Sequence, residues 1–130
     1  MPKKKATLSC YTENAPATPE TPEALLHARC FQMAWNEYPQ TRRLFAYNLN
    51  NSDNQFAGAR NKALGLIKGR ADTELLWKGR LHYAEFKTET GRQSPDQIRF
   101  QHTVTQHGAT YTIIRTTEEF RAWLIRILTA

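Results

Sequence analysis

Residues 71–88 read Ala71-Asp72-Thr73-Glu74-Leu75-Leu76-Trp77-Lys78-Gly79-Arg80-Leu81-His82-Tyr83-Ala84-Glu85-Phe86-Lys87-Thr88. With Lys78-Gly79 as a two-residue turn, Ala71 to Trp77 and Arg80 to Thr88 become two antiparallel strands. Residues facing each other across such a hairpin have numbers that sum to 157, so Asp72 opposes Glu85. Opposed residues have Cβ atoms about 4.5–5.5 Å apart, and like charges placed there repel. A chain that keeps such a pair usually sets a cation between them. Lys87 lies two residues beyond Glu85, and the strand's period of two brings Asp72, Glu85 and Lys87 to one face of the sheet.

The residue types match a specific chemistry. Hydrolysing a phosphodiester near neutral pH requires a cation that binds a non-bridging oxygen and lowers the pKa of an attacking water. Hard ions such as Mg²⁺ take oxygen ligands and keep several waters, so two carboxylates and a main-chain carbonyl suffice. Asp72 and Glu85 offer the carboxylates, and the carbonyl of Phe86 the third ligand. Lys87 beside them can orient the water or stabilise charge developing on the phosphate. Taken alone, Glu85 and Lys87 equally describe a solvated strand face with an ion pair, and Asp72 a polar strand start after Gly69. Together, in a stretch flanked by Leu75, Leu76, Leu81 and Phe86, they occupy costly places for charge.

Outward from the hairpin, Thr21-Pro22-Glu23 is a helix start, with an N-cap, a proline at the first position and an acid in the first turn. That helix is predicted to run to about Glu37, where Tyr38-Pro39 stops it, with Leu26, Cys30, Met33 and Ala34 as its apolar stripe. Leu44 to Leu49 alternates loosely, as an edge strand would, before the turn-rich residues 50–54. A second helix is expected over Gln55 to Leu64, ended by Gly65. Ser94-Pro95-Asp96-Gln97 starts a third, which Gly108 closes, and Gln97 holds the position of a capping-box glutamine. Thr110 to Arg115 is a β-rich run. Thr116-Thr117-Glu118-Glu119 caps a last helix that turns Phe120, Trp123, Leu124, Ile127 and Leu128 inward. The order α, β, α, β, β, α, β, α points to the α/β class, with one mixed sheet and helices on both faces.

The 130 residues are enough for one domain, expected over 22–130, and not for two. Residues 1–21, with three consecutive lysines and a Pro/Thr/Glu-rich spacing, have the composition of a flexible basic tail. The formal charge is +6 and the pI about 9.6. The tail holds three of the eighteen basic and two of the twelve acidic residues, so most of the excess belongs to the domain. Such a balance favours a polyanionic partner, though charge alone describes steering and not chemistry. Cys10 and Cys30 are isolated, without the spacing of a zinc site. No stretch approaches the roughly 20 apolar residues of a membrane helix, and the first residues lack an apolar signal core. An intracellular, cytoplasmic protein is expected.

Basic residues cluster around the acids: Arg60, Lys62, Lys68 and Arg70 lead into them, and Arg92 and Arg99 follow. Phosphate contacts by such residues are salt-sensitive and independent of sequence. Arg92 ranks first, because it lies in a glycine-containing turn beside the acid-bearing strand. Asn48, Asn50 and Asn54 are further candidates for DNA contact, although asparagine in turns needs no functional reason.

Taken together, Gly58-x-Arg60, Gly65-Leu66-Ile67-Lys68-Gly69-Arg70-Ala71-Asp72, Glu85-Phe86-Lys87-Thr88, Gly91-Arg92-Gln93-Ser94-x-x-Gln97 and Gly108 before a strand resemble the virus-type replication-repair nuclease (VRR-NUC) domain. That family belongs to the PD-(D/E)xK superfamily, and the likeness covers roughly residues 23–128. It implies a restriction-endonuclease-like fold, with Asp72, Glu85 and Lys87 as the metal-binding and catalytic set and Gln97 added to the active site. Capping and a site role compete for this one side chain. The resemblance further implies an Mg²⁺- or Mn²⁺-dependent endonuclease, a homodimer acting on branched or four-way-junction DNA, a phage or mobile-element origin, and a role in recombination or repair. Ala71 stands where the family usually has proline. The family's first helix often supplies a further glutamate; here it offers Glu23 near its start, His27 one turn later and Glu37 at its end, with His27 as a direct or water-mediated ligand. Two other readings stay open: a nucleic-acid-binding module of the same fold that does not cut, and a protein-interaction domain whose basic face meets an acidic partner.

Overall fold

In a computed structural model of the protein, which describes residues 21–49 and 55–130, the hairpin forms in the expected register. Strand β2 (Thr73–Trp77) pairs antiparallel with β3 (Arg80–Phe86), Thr73 opposite Ala84 and Trp77 opposite Arg80. Lys78 and Gly79 both take positive φ, 49° and 81°, as a two-residue turn that continues the right-handed twist of its strands requires. The strands are shorter than the sequence predicts. β2 begins at Thr73 and not at Ala71, because the Phe86 N–H is taken at 2.8 Å by the carboxylate of Asp72 in place of the carbonyl of Ala71, the residue opposite it in this register. The tail up to residue 20 and the turn at 50–54, with Asn50 and Asn54, lie outside the described residues.

The short strand β1 (Phe45–Tyr47) joins the free side of β2 as the expected edge, with Phe45 opposite Leu75 and Tyr47 opposite Thr73. β4 (Thr110–Ile114) runs parallel to β3, His82 beside Thr110 and Phe86 beside Ile114, giving the sheet order β1-β2-β3-β4. Parallel neighbours need a crossover, and helix α3 (Pro95–Gln106) supplies it. Helix α1 (Pro22–Glu37) starts where the Thr21 hydroxyl accepts the Ala24 N–H at 3.1 Å, and ends before a 3-10 turn at Pro39–Thr41. Helix α2 (Gln55–Ala63) is followed by Gly65 at φ 104°. Thr116 caps α4 (Thr117–Thr129) by accepting the Glu119 N–H at 3.1 Å.

Helices cover both faces of the sheet, unequally. On one face α1 contributes Cys30 and Ala34, and α4 contributes Phe120, Trp123 and Leu124; they pack on Phe45, Leu75, Ala84, Phe86 and Ile114. Leu26, Met33, Ile127 and Leu128 border this core, only partly buried. On the other face α3 sets Phe100 edge-on to Tyr83, ring centroids 5.2 Å apart, and 6.3 Å from Tyr111. Alternation along β3 places Phe86 and Ala84 toward the core and Glu85 and Tyr83 toward α3. Among the described residues no helix is long and apolar enough to cross a membrane.

Candidate active site

The site lies at the open end of the hairpin, away from the turn. Asp72 is held from two sides. Its main-chain carbonyl accepts the Asn48 N–H at 2.8 Å, and its Oδ2 accepts the Phe86 N–H at 2.8 Å. Asn48 also donates its side-chain amide to the Ala71 carbonyl at 3.3 Å. Asn48 is therefore buried as a tie between β1 and the start of β2, which fixes the stretch where the proline is missing. An N–H and C=O of one strand residue point to the same edge, so the Phe86 carbonyl lies on the Asp72 side together with its amide.

Glu85 has no exposed surface, and neither of its carboxylate oxygens has a hydrogen-bond partner. Lys87 Nζ stands 3.3 Å from Oε2, on a side chain that is itself largely buried. Burial pushes the Glu85 pKa up and the charge of Asp72 adds to the rise, while Lys87 and the Gln93 amide favour the ionised form. Lys87 and Gln93 are near enough to act on the carboxylate without completing a hydrogen bond of good geometry to it. A buried acid left in this state is costly.

Helix α1 reaches the same point. Glu23, in its first turn, has a pKa raised by burial, with Lys87 opposing and Asp72 adding to the shift. It lines a cleft of about 510 Å³ with Lys68, Asp72, Asp96 and Gln97. His27, one turn on, stacks on the Phe86 ring at 4.8 Å and tilts against Tyr47 at 5.3 Å. Burial lowers its pKa, and the charge of Asp72 opposes that. Of the three α1 residues considered, Glu23 and His27 thus lie near Asp72. Glu37 pairs instead with Arg121 at 2.8 Å.

Gln97 stands in the wall of the cleft, yet its side chain completes a capping box: Oε1 accepts the Ser94 N–H at 2.7 Å while its own N–H donates to Ser94 Oγ at 3.2 Å. Its oxygen is committed to the helix start, which leaves the amide nitrogen for the cleft. The expected phosphate-binding residues divide. Arg60 and Arg92 are exposed. Lys68 and Arg99 share Asp96, at 3.7 and 2.8 Å, and Arg70 pairs with Glu74 at 2.7 Å. Two features had no sequence signal beyond their residue type. Gln93, next to the cap, donates to Gln101 at 2.8 Å. Arg115, just past β4, donates through Nη1 to the carbonyls of Thr88 at 2.6 Å and Gly91 at 2.9 Å, and so grips the turn that follows Lys87. Gly69 is required by packing: a Cβ there would lie 2.5 Å from the main chain of Asp96, and its φ is 85°. The loop into Asp72 and the start of α3 are pressed together at this point.

Among the described residues no group of three or more His, Cys, Asp or Glu side chains is arranged to hold a metal ion. The donor set is smaller and of another kind, two carboxylates and one main-chain carbonyl. The buried Glu85 oxygens, which complete no hydrogen bond and have one ammonium nearby, have lone pairs that a hard divalent cation would satisfy, and in this respect the residues fit one. No family model and no curated protein matches the sequence. A solved structure described as a VRR_NUC domain protein matches with a TM-score of 0.64 at 11% identity, over 85% of this chain and 91% of that one. The chain has that fold.

Proposed function

We propose that this protein is a metal-dependent DNA endonuclease that hydrolyses phosphodiester bonds in branched DNA. The observation that carries the reading is Glu85: a fully buried carboxylate whose oxygens complete no hydrogen bond, with the Lys87 ammonium 3.3 Å away on the same strand face, opposite an Asp72 that the Phe86 amide holds in place. Asp72, Glu85 and the Phe86 carbonyl would hold Mg²⁺ or Mn²⁺, which when bound supplies Lewis acidity toward phosphate oxygen and a more acidic water. The chain's own residues do the positioning. Lys87, kept beside Glu85, places a positive charge where a phosphate oxygen gains negative charge. Glu23 and His27 bring a further acid and an imidazole from α1, and Gln97 offers its amide nitrogen from the cleft wall. Arg60 and Arg92 are the open phosphate contacts, with Lys68, Arg70 and Arg99 available where phosphate displaces their acids.

The family resemblance supports a homodimer, and a dimer suits a four-way junction because two identical sites meet symmetry-related strands. The test is cleavage of linear, flap and four-way-junction DNA with Mg²⁺ or Mn²⁺, with Asp72→Ala and Glu85→Ala alongside. Junction cleavage that needs metal and is lost in both variants is expected. Binding without cleavage under every metal condition, unaltered by Asp72→Ala, would leave the non-cutting module as the correct reading.

A further inference from the structure

The turn that follows β3 is fixed by residues outside its own stretch of sequence. Residues 88–91 close with the Gly91 N–H on the Thr88 carbonyl at 3.2 Å. Three carbonyls of this turn converge on one nitrogen: Arg115 Nη1 stands 2.6 Å from that of Thr88, 2.9 Å from that of Gly91 and 3.3 Å from that of Glu89. Arg115 follows β4 directly, and its own N–H donates to Oε1 of Glu119, in the first turn of α4, at 2.7 Å. Its main chain is therefore tied to a helix of the apolar core. Two residues past the turn, Gln93 donates to Gln101 of α3 at 2.8 Å. The segment between β3 and α3 is anchored at both ends, to α4 through Arg115 and to α3 through Gln93.

The stem of Lys87 runs beside this turn. A Cβ on Gly91 would stand 3.5 Å from Lys87 Cδ and 3.1 Å from Thr88 Oγ1, so the main chain of the turn lies against the lysine methylenes. The Lys87 amide donates to the carbonyl of Ile114, the residue before Arg115, at 3.0 Å. A lysine has a flexible four-carbon stem and a strongly hydrated head, and confining it costs side-chain entropy. The Lys87 side chain nevertheless keeps only 11% of its surface, against 85% for Lys68, and its Nζ stays 3.3 Å from Glu85. A main-chain roof held by a charged donor supplies that confinement on one side.

We propose that Arg115 is a positioning residue for Lys87: by gathering the carbonyls of residues 88–91 it holds the turn down on the lysine stem and keeps the ammonium beside Glu85. The inference rests on the endonuclease reading for what the ammonium does there, and on the turn for how it is held. Hydrogen bonds from a charged donor are the strong ones, and a guanidinium loses little freedom in making them. A cation that stabilises charge on a phosphate acts only from a fixed place, so a loosened turn lowers the rate of the reaction more than the binding of its substrate.

The test reads Lys87 directly. The protein without divalent metal is treated with an amine-acylating reagent at one pH, and the rates at Lys87 and Lys68 are followed by peptide mass spectrometry. Lys87 is expected to react far more slowly than Lys68 in the unaltered protein, and faster by about tenfold or more in Arg115→Met, the change in local opening that loss of a hydrogen bond from a charged group brings. Lys68 should keep its rate. Thiol labelling of Cys30, buried in the core, should also stay as it is, which separates a released turn from a general loosening of the fold. Arg115→Gln, shorter and uncharged, gives the same comparison should the methionine variant not fold. With junction DNA and Mg²⁺ or Mn²⁺, Arg115→Met is expected to lower kcat by about tenfold or more and to raise KM less than Arg92→Ala does. Lys87 labelling at the unaltered rate in both Arg115 variants would overturn the proposal, as would faster labelling of Lys87 and Cys30 together, or an unchanged kcat beside a released Lys87. If the unaltered protein cleaves under no metal condition, the endonuclease reading fails, and the labelling alone decides whether Arg115 holds Lys87.

Discussion

On the face covered by α1 and α4, ten side chains from Cys30 to Leu124 form one almost solvent-free cluster. α3 covers the opposite face without burying any of its own residues, and the buried charged groups Glu85 and Lys87 belong to that face. The first face gains free energy from apolar area removed from water, the dominant favourable term in folding. The second gives part of that gain back by holding a carboxylate away from water with no completed hydrogen bond. Stability and chemistry are thus segregated by the alternation of β3, where Phe86 faces one way and Glu85 the other.

Truncation on the apolar face is the strongest way to break this contrast. Trp123→Ala is expected to cost about 3–5 kcal/mol, read as a shift in denaturant midpoint. The charged face is expected to answer in the opposite sense. Burial holds the Glu85 pKa above 4.5, so the native state binds the proton more tightly than the unfolded chain. Stability from this group is full below pH 4.5 and is lost as pH rises through the raised folded pKa. Glu85→Gln should flatten that loss in metal-free buffer and should lower junction cleavage by about a hundredfold or more. A steeper loss of stability with rising pH in the variant would refute the assignment.

Metal tests the same face from the other side. At about ten times its dissociation constant, Mg²⁺ or Mn²⁺ should stabilise the protein by about 1.4 kcal/mol through mass action, seen as a higher Tm that Asp72→Ala abolishes. The smallest effect separates the two roles of Gln97. Ser94→Ala should cost about 1 kcal/mol through the cap. Gln97→Ala should cost no more in melting, yet reduce cleavage further than Ser94→Ala does. Equal cleavage in the two variants would make Gln97 a cap alone.

What could be read from the sequence was local. The Lys78-Gly79 turn fixes the register, since a slip of one residue would turn every strand side chain to the wrong face. Thr21, Ser94 and Thr116 announce helix starts because short polar side chains satisfy free N–H groups. What stayed hidden depends on elements far apart in the chain. Glu23 reaches Asp72 only because α1 crosses the end of the sheet, and nothing in its own heptad tells it from Glu37. The pairing of Lys68 and Arg99 through Asp96 follows from the close approach at Gly69. The grip of Arg115 on residues 88–91 crosses from β4 to the turn after β3. Charge counts treat all of these cations alike.

The two-residue turn has a further consequence, in the order of folding. Hairpins close within about 1–10 μs, whereas the parallel partner β4 waits for the whole α3 crossover, a non-local pairing that is slower to form. Asp72 and Glu85 are accordingly brought face to face early, while water still surrounds them and before the apolar side is sealed. Their repulsion then acts on the folding barrier, so that salt or Mg²⁺ should speed refolding of this chain in stopped-flow measurements, and neutralising Glu85 should remove much of that dependence.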